Sequence, residues 1–127
     1  MSQTLSRSLT LIATLSALSL FAVDASAALR VRCEVRSDRS KASVDGSNLA
    51  SGNYSAVLVS GANSAQSLPK HTVGDEVEFD FDSNRRDVRQ GATEIAKNFI
   101  VNGQATGKLL NANGNVVASK TVSCRQR

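Results

Sequence analysis

Residues 74–89 read GDEVEFDFDSNRRDVR. Glu76, Glu78, Asp80 and Asp82 alternate there with Val77, Phe79 and Phe81. A period of two belongs to a strand with one dry face and one wet face. Burying Val77, Phe79 and Phe81 gains roughly 1.5–3 kcal/mol apiece. Turning the four carboxylates inward instead would require a buried partner for each. The apolar parity is therefore expected in the core, with Glu76, Glu78, Asp80 and Asp82 outward in a row about 20 Å long. Calcium takes about six to eight converging oxygens, and a straight row diverges. The row reads first as solvated charge that protects a sheet edge. Its second reading is a docking face; its third is part of a cation site needing donors from elsewhere.

The same alternation recurs near the start of the chain. Leu29, Val31, Cys33 and Val35 share one parity, and Arg30, Arg32, Glu34 and Arg36 share the other. If this strand neighbours the acidic one, cross-strand ion pairs neutralise both rows. If the two lie in different sheets, the molecule has an acidic face and a basic face, which favours head-to-tail association of copies. Between them, KASVDG (41–46) suggests a short strand ending in an Asp-Gly turn, and residues 54–60 a strand buried on both sides. Residues 62–72 hold the only proline and read as a loop. So do residues 83–91, where Arg85, Arg86 and Arg89 crowd around Asp87 and offer guanidinium forks to an anion or a partner.

Later in the chain a strand is expected around 98–101. Asn113-Gly114 signals a hairpin. In the last strand Val116, Ala118, Lys120, Val122 and Cys124 are assigned the inward parity. Arg125 and Arg127 read as a soluble tail. Six or seven short strands, Gly/Asn/Ser turns and no long amphipathic helix make the expected class all-β. The architecture is a single antiparallel β-sandwich, immunoglobulin-like. It departs from antibody domains in having no tryptophan and in a cysteine spacing too wide for their inter-sheet bond.

The first 27 residues stand apart. Arg7 precedes the apolar run LTLIATLSALSLFAV (9–23), and Ala25-Ser26-Ala27 follows. That order is a secretory signal cleaved after Ala27, leaving residues 28–127 as one domain. Cys33 and Cys124 are the only cysteines. In a secreted or periplasmic chain they are expected to bond and tie the first strand to the last.

Composition narrows the function classes. A net charge of +4 favours solubility and does not by itself indicate nucleic acid; the export route and the few aromatics argue against it. One histidine, His71, and two cysteines do not make a metal centre, and no nucleophile motif or phosphate loop is present. The expectation is a non-catalytic module without a cofactor and without a membrane segment after processing. It would bind a protein partner or its own copies through charged faces. The alternatives are a small cation- or ligand-binding protein using the acidic row, and an inhibitor of a secreted or periplasmic enzyme.

Overall fold

A computed structural model of the protein describes residues 26–127. The apolar run on which the signal segment rests lies outside the described residues. The elements are β1 (Ala28–Arg36), β2 (Arg39–Ser47), β3 (Asn53–Ser60), β4 (Asn63–Gln66), β5 (Lys70–His71), β6 (Val77–Asp82), α1 (Arg85–Arg89), β7 (Thr93–Glu94), β8 (Gln104–Leu110), β9 (Val116–Ser123) and β10 (Arg125–Gln126).

Two sheets pack face to face. Sheet I has the order β10-β1-β2-β6-β7; sheet II has the order β4-β3-β8-β9, with β5 paired to the start of β3. Pairing is antiparallel except where the short β7 and β10 join β6 and β1 in parallel. The chain changes sheet four times, so that β1, β2 and β6 face β3, β8 and β9. This is the expected immunoglobulin-like sandwich.

The apolar parity of β6 decides the packing. Phe79 and Phe81 are almost completely buried, together with Val44 of β2, Leu58 of β3 and Leu109 of β8. Two glycines let the sheets close on one another. A Cβ on Gly107 would lie 2.7 Å from Val31 Cγ2, and one on Gly46 would lie 2.8 Å from Leu109 Cδ2. Gly46 therefore sits inside β2, where the sequence suggested an Asp-Gly turn, because its bare backbone makes room for Leu109. β2 correspondingly runs for nine residues.

The ends of the sandwich are sealed by polar groups that find partners. Ser40 Oγ donates to Lys97 O at 2.7 Å, and Ser60 Oγ donates to Gln104 O at 2.6 Å. The Tyr54 hydroxyl donates to Ala50 O at 2.8 Å. Among the described residues no buried side-chain N or O lacks a hydrogen-bond partner, as a well-formed core requires.

Cys33 and Cys124 form the expected disulfide, across 91 residues of chain. Cys124 stands between β9 and β10, where the chain leaves sheet II for sheet I. The bond thus joins the two sheets along one side. The residues after it are not a free tail. Arg125 and Gln126 pair with Glu34 and Val35, and the Arg127 N–H donates to Val35 O at 2.9 Å.

Two further expectations change, while the hairpin forms where Asn113-Gly114 signals it. Residues 98–101 hold an isolated bridge, Val101 to Gln104, and the regular strand begins at Gln104. Phe99 and Ile100 instead plug the core from a connecting segment. The hairpin turns over Asn111–Asn115, where Gly114 takes positive φ and the Asn111 side chain accepts from the N–H groups of Asn113 and Asn115. A register shift at Leu109/Leu110 then places Val117 against the core and leaves Val116 47 % exposed, reversing the parity assigned to Val116.

Phe79→Ala is expected to lower stability by about 3–5 kcal/mol. The double change Glu78→Gln and Asp80→Asn should stay within about 0.5 kcal/mol of the parent. Denaturant midpoints of both variants check the assignment of the two faces.

Candidate functional site

The outer face of sheet I carries most of the chemistry. Alternate residues of β1, β2 and β6 stand in cross-strand rows. Arg30 opposes Asp45, which opposes Glu78; Arg32 opposes Ser43, which opposes Asp80; Glu34 opposes Lys41, which opposes Asp82. The basic row of β1 and the acidic row of β6 therefore share one sheet but are separated by β2. They neither neutralise one another directly nor occupy separate sheets. A gradient results across one face, with arginines along the β1 side and carboxylates along the β6 side.

β2 sharpens this gradient at one end. Asp45 lies directly opposite Glu78 and meets Arg32 at 3.6 Å. Burial, with Glu78 next in weight, pushes the Asp45 carboxyl above the usual carboxylate range; Arg32 offsets only part of this. At the β1 side Glu34 takes Arg36 Nε and Arg127 Nε, each at 3.0 Å. Burial pushes Glu34 upward, but the Arg36 hydrogen bond and the surrounding cations outweigh it and hold the carboxyl below its ordinary value.

The expected row of four carboxylates does not persist as a row. Glu78 and Asp80 face solvent as expected. Glu76 precedes β6 in a tight turn, where Glu76 and Val73 exchange backbone hydrogen bonds around Gly74. Asp82 keeps the outward parity yet is only 4 % exposed, because the chain folds back over it. Its Oδ1 and Oδ2 accept from Arg39 Nε at 2.9 Å and Arg39 Nη2 at 2.6 Å, and Oδ1 also accepts from the Asn84 N–H at 2.9 Å. Arg39 Nη2 reaches Asp87 Oδ2 at 2.9 Å as well. Burial alone would raise the Asp82 carboxyl; the hydrogen bonds and charge of Arg39, with the Asn84 N–H, overcome it and hold its pKa below the ordinary value.

That knot positions the arginine segment. Asn84 caps α1 by accepting from the Arg86 N–H at 2.9 Å, so residues 85–89 form a short helix in place of the expected loop. The helix gathers Arg85, Arg86 and Arg89 with Arg39 around a shallow cup of about 600 Å³. Arg39 is committed to Asp82 and Asp87; Arg85, Arg86 and Arg89 have no ion-pair partner within 4.0 Å among the described residues.

Beside the helix, over the middle of sheet I, lies a trough of about 880 Å³. Arg32, Lys41, Lys70, Asp80, Gln90 and Arg125 are among the residues that line it. Lys70 reaches it from β5, donating to Glu78 O at 2.8 Å with its ammonium 5.4 Å from the Phe79 ring centroid. Sequence patterning missed Arg39, Lys41, Lys70 and Arg125. Only the pairing of β2 with β6 and of β10 with β1, together with the return of β5, brings them to this face.

Among the described residues no group of three or more His, Cys, Asp or Glu side chains is placed to hold a metal ion. His71 lies exposed on β5 with Nδ1 3.0 Å from Asn53 Oδ1. What the face can do chemically is pair charges with another surface.

The two aspartates of β2 and β6 should respond oppositely to neutralisation. Asp82→Asn breaks the bidentate pair and is expected to cost about 2–4 kcal/mol at neutral pH. Because the folded-state pKa of Asp82 is depressed, its contribution is present above the unfolded value and is lost as pH falls through the folded one. Asp45 has the opposite sign: its contribution is present below the unfolded pKa and is lost as pH rises through the raised folded value. Asp45→Asn should therefore raise stability at pH 7 by roughly 0.2–1 kcal/mol and change nothing in acid, where both forms are neutral. Denaturant midpoints of the parent and both variants from about pH 2 to pH 8 check the signs.

No family model matches the chain, and no curated protein and no solved structure matches it.

Proposed function

We propose that this chain is an exported, non-catalytic β-sandwich whose residues 28–127 form one domain that binds a protein partner through the outer face of sheet I. The observation that carries the reading is the sorting of charge on that face. Arg30 and Arg32 stand on β1 and Glu78 and Asp80 on β6, with β2 between the rows, and Arg32, Arg125 and Asp80 line the trough. A partner with the reverse order of charge would meet it in one orientation, and long-range attraction would speed the encounter.

Export is supported by the leader-like order of residues 1–27, by the disulfide, and by β1 starting at Ala28, the residue expected to head the processed chain. None of the described helices is long and apolar enough to cross a membrane. The cation-binding alternative gains nothing from the turn at Glu76 and the burial of Asp82, which leave two outward carboxylates on β6. The inhibitor alternative would use α1, whose arginines point into solvent but whose five residues make a short insertion element.

The test is capture from the fluid of the compartment in which the mature chain resides, at low and at raised salt. The parent is expected to retain a partner that salt releases. Glu78→Gln/Asp80→Asn and Arg30→Gln/Arg32→Gln should each lose it while keeping the parent's circular dichroism spectrum. Retention by both variants, indifferent to salt, would reject this face as the binding surface.

A further inference from the structure

The cup beside α1 is lined by hydrogen-bond donors. Arg39, Asn84, Arg85, Arg86, Asp87 and Arg89 form its wall. The one acid among them, Asp87, is engaged by Arg39 Nη2 at 2.9 Å. Arg39 uses Nε and Nη2 on Asp82 and Asp87, and its Nη1 has no hydrogen-bond partner among the described residues. Asn84 accepts the Arg86 N–H through Oδ1, and its Nδ2 likewise has no acceptor among the described residues. A guanidinium tied to two carboxylates cannot swing away, so the cup contains one fixed donor group.

The other three guanidinium groups are crowded by the fold. Arg85 and Arg86 lie four and three residues before Arg89, so each is its neighbour on the helix surface. Like charges at that spacing weaken a helix. None of the three has an ion-pair partner among the described residues. The cap at Asn84 and the knot of Arg39 with Asp82 and Asp87 hold the helix in spite of that repulsion.

The balance of charge selects the ligand. Arg39, Arg85, Arg86 and Arg89 bring four positive charges and Asp82 and Asp87 two negative ones, so two positive charges remain. Glu94 neighbours Asp82 in the ladder but does not line the cup. A carboxylate or a sulfate ester carries one negative charge and would leave the cup cationic. A phosphate monoester above its second pKa of about 6 carries close to two, on three terminal oxygens that suit guanidinium forks.

We propose that the cup binds a dianionic phosphate group through Arg85, Arg86 and Arg89, with Arg39 Nη1 as the fixed donor. The trough adjoins the cup, since Asp87 lines both, and gives an esterified phosphate room for its organic part. The site is distinct from the rows of Arg30, Arg32, Glu78 and Asp80 and stands whether or not those rows meet a protein.

Titration of the disulfide-bonded chain with inorganic phosphate, phenyl phosphate and phenyl sulfate at constant ionic strength is the test, read by amide NMR shifts and by thermal midpoint. Both phosphates should give saturable shifts at Asn84, Arg86 and Arg89 and raise the midpoint. Phenyl sulfate should bind about tenfold more weakly than phenyl phosphate. Phosphate binding should weaken as pH falls below about 6, where the second proton returns to the ligand, and phenyl sulfate binding should not. Arg86→Gln/Arg89→Gln should raise the phenyl phosphate dissociation constant about tenfold without lowering the midpoint of the free chain. Arg86→Lys/Arg89→Lys keeps the charge and loses the forks; it should weaken binding too, and serves if the glutamine variant does not fold. Tighter binding of phenyl phosphate than of inorganic phosphate assigns the site to an ester, and equal or weaker binding assigns it to the free ion. No saturable shift with either phosphate would overturn the proposal. So would phenyl sulfate bound as tightly as phenyl phosphate, or undiminished affinity in the arginine variants.

Discussion

Phe79 and Phe81 can leave water on only one side of β6, and the rest of the molecule is arranged around that choice. Their burial against Val44, Leu58 and Leu109 brings sheet I onto sheet II. The bare backbones of Gly46 and Gly107 set how closely the sheets approach. The alternating carboxylates are then forced outward. Glu78 and Asp80 face solvent for that reason, and the acidic character of this strand is a consequence of folding before it is an instrument of binding. The disulfide acts at the margin of this arrangement: it ties β1 to the point where the chain changes sheets, constraining the unfolded chain more than it shapes the core.

Where the chain covers the outward parity, charge changes role. Asp82 continues the row of Glu78 and Asp80 by parity but lies beneath Arg39, Asn84 and Asp87. Its carboxylate is retained because bidentate and backbone hydrogen bonds replace the water it lost. The result is an anchor that orients α1 and holds its arginines beside the open trough. One face of one sheet thus contains a structural ion pair at one end, a half-buried Asp45 beside Glu78 at the other, and exchangeable surface charge between them. Salt and pH should act on these three parts differently.

The sequence revealed what alternation can reveal. β1 and the core parity of β6 were legible because each alternates without interruption, and the disulfide was legible because only two cysteines exist and both fall on an inward parity. Asp82 was not, since alternation reports which way a side chain points and not what later folds over it; Arg39, its partner, is 43 residues away. The role of Gly46 is not legible, because a glycine needed for close approach and one needed for a bend look alike after an aspartate. The exposure of Val116 is hidden because a single-residue register shift is invisible to a period of two. β5 and β10 are hidden for a different reason: they are two-residue strands whose pairing is decided by tertiary neighbours, not by their own composition.

The central claim is that the β2–β6 pairing around Phe79 and Phe81, rather than the disulfide margin, is the last structure to open. Native-state hydrogen exchange, residue by residue, tests it most directly. The account predicts that the amides of Val44 and Phe79, with Leu58 and Leu109 across the core, exchange only through global unfolding. The outward amides of Ser119 and Ser123 should exchange fastest among the long strands in dilute solution. Slowest exchange confined to the neighbourhood of Cys33 and Cys124, with Phe79 opening locally, would contradict it.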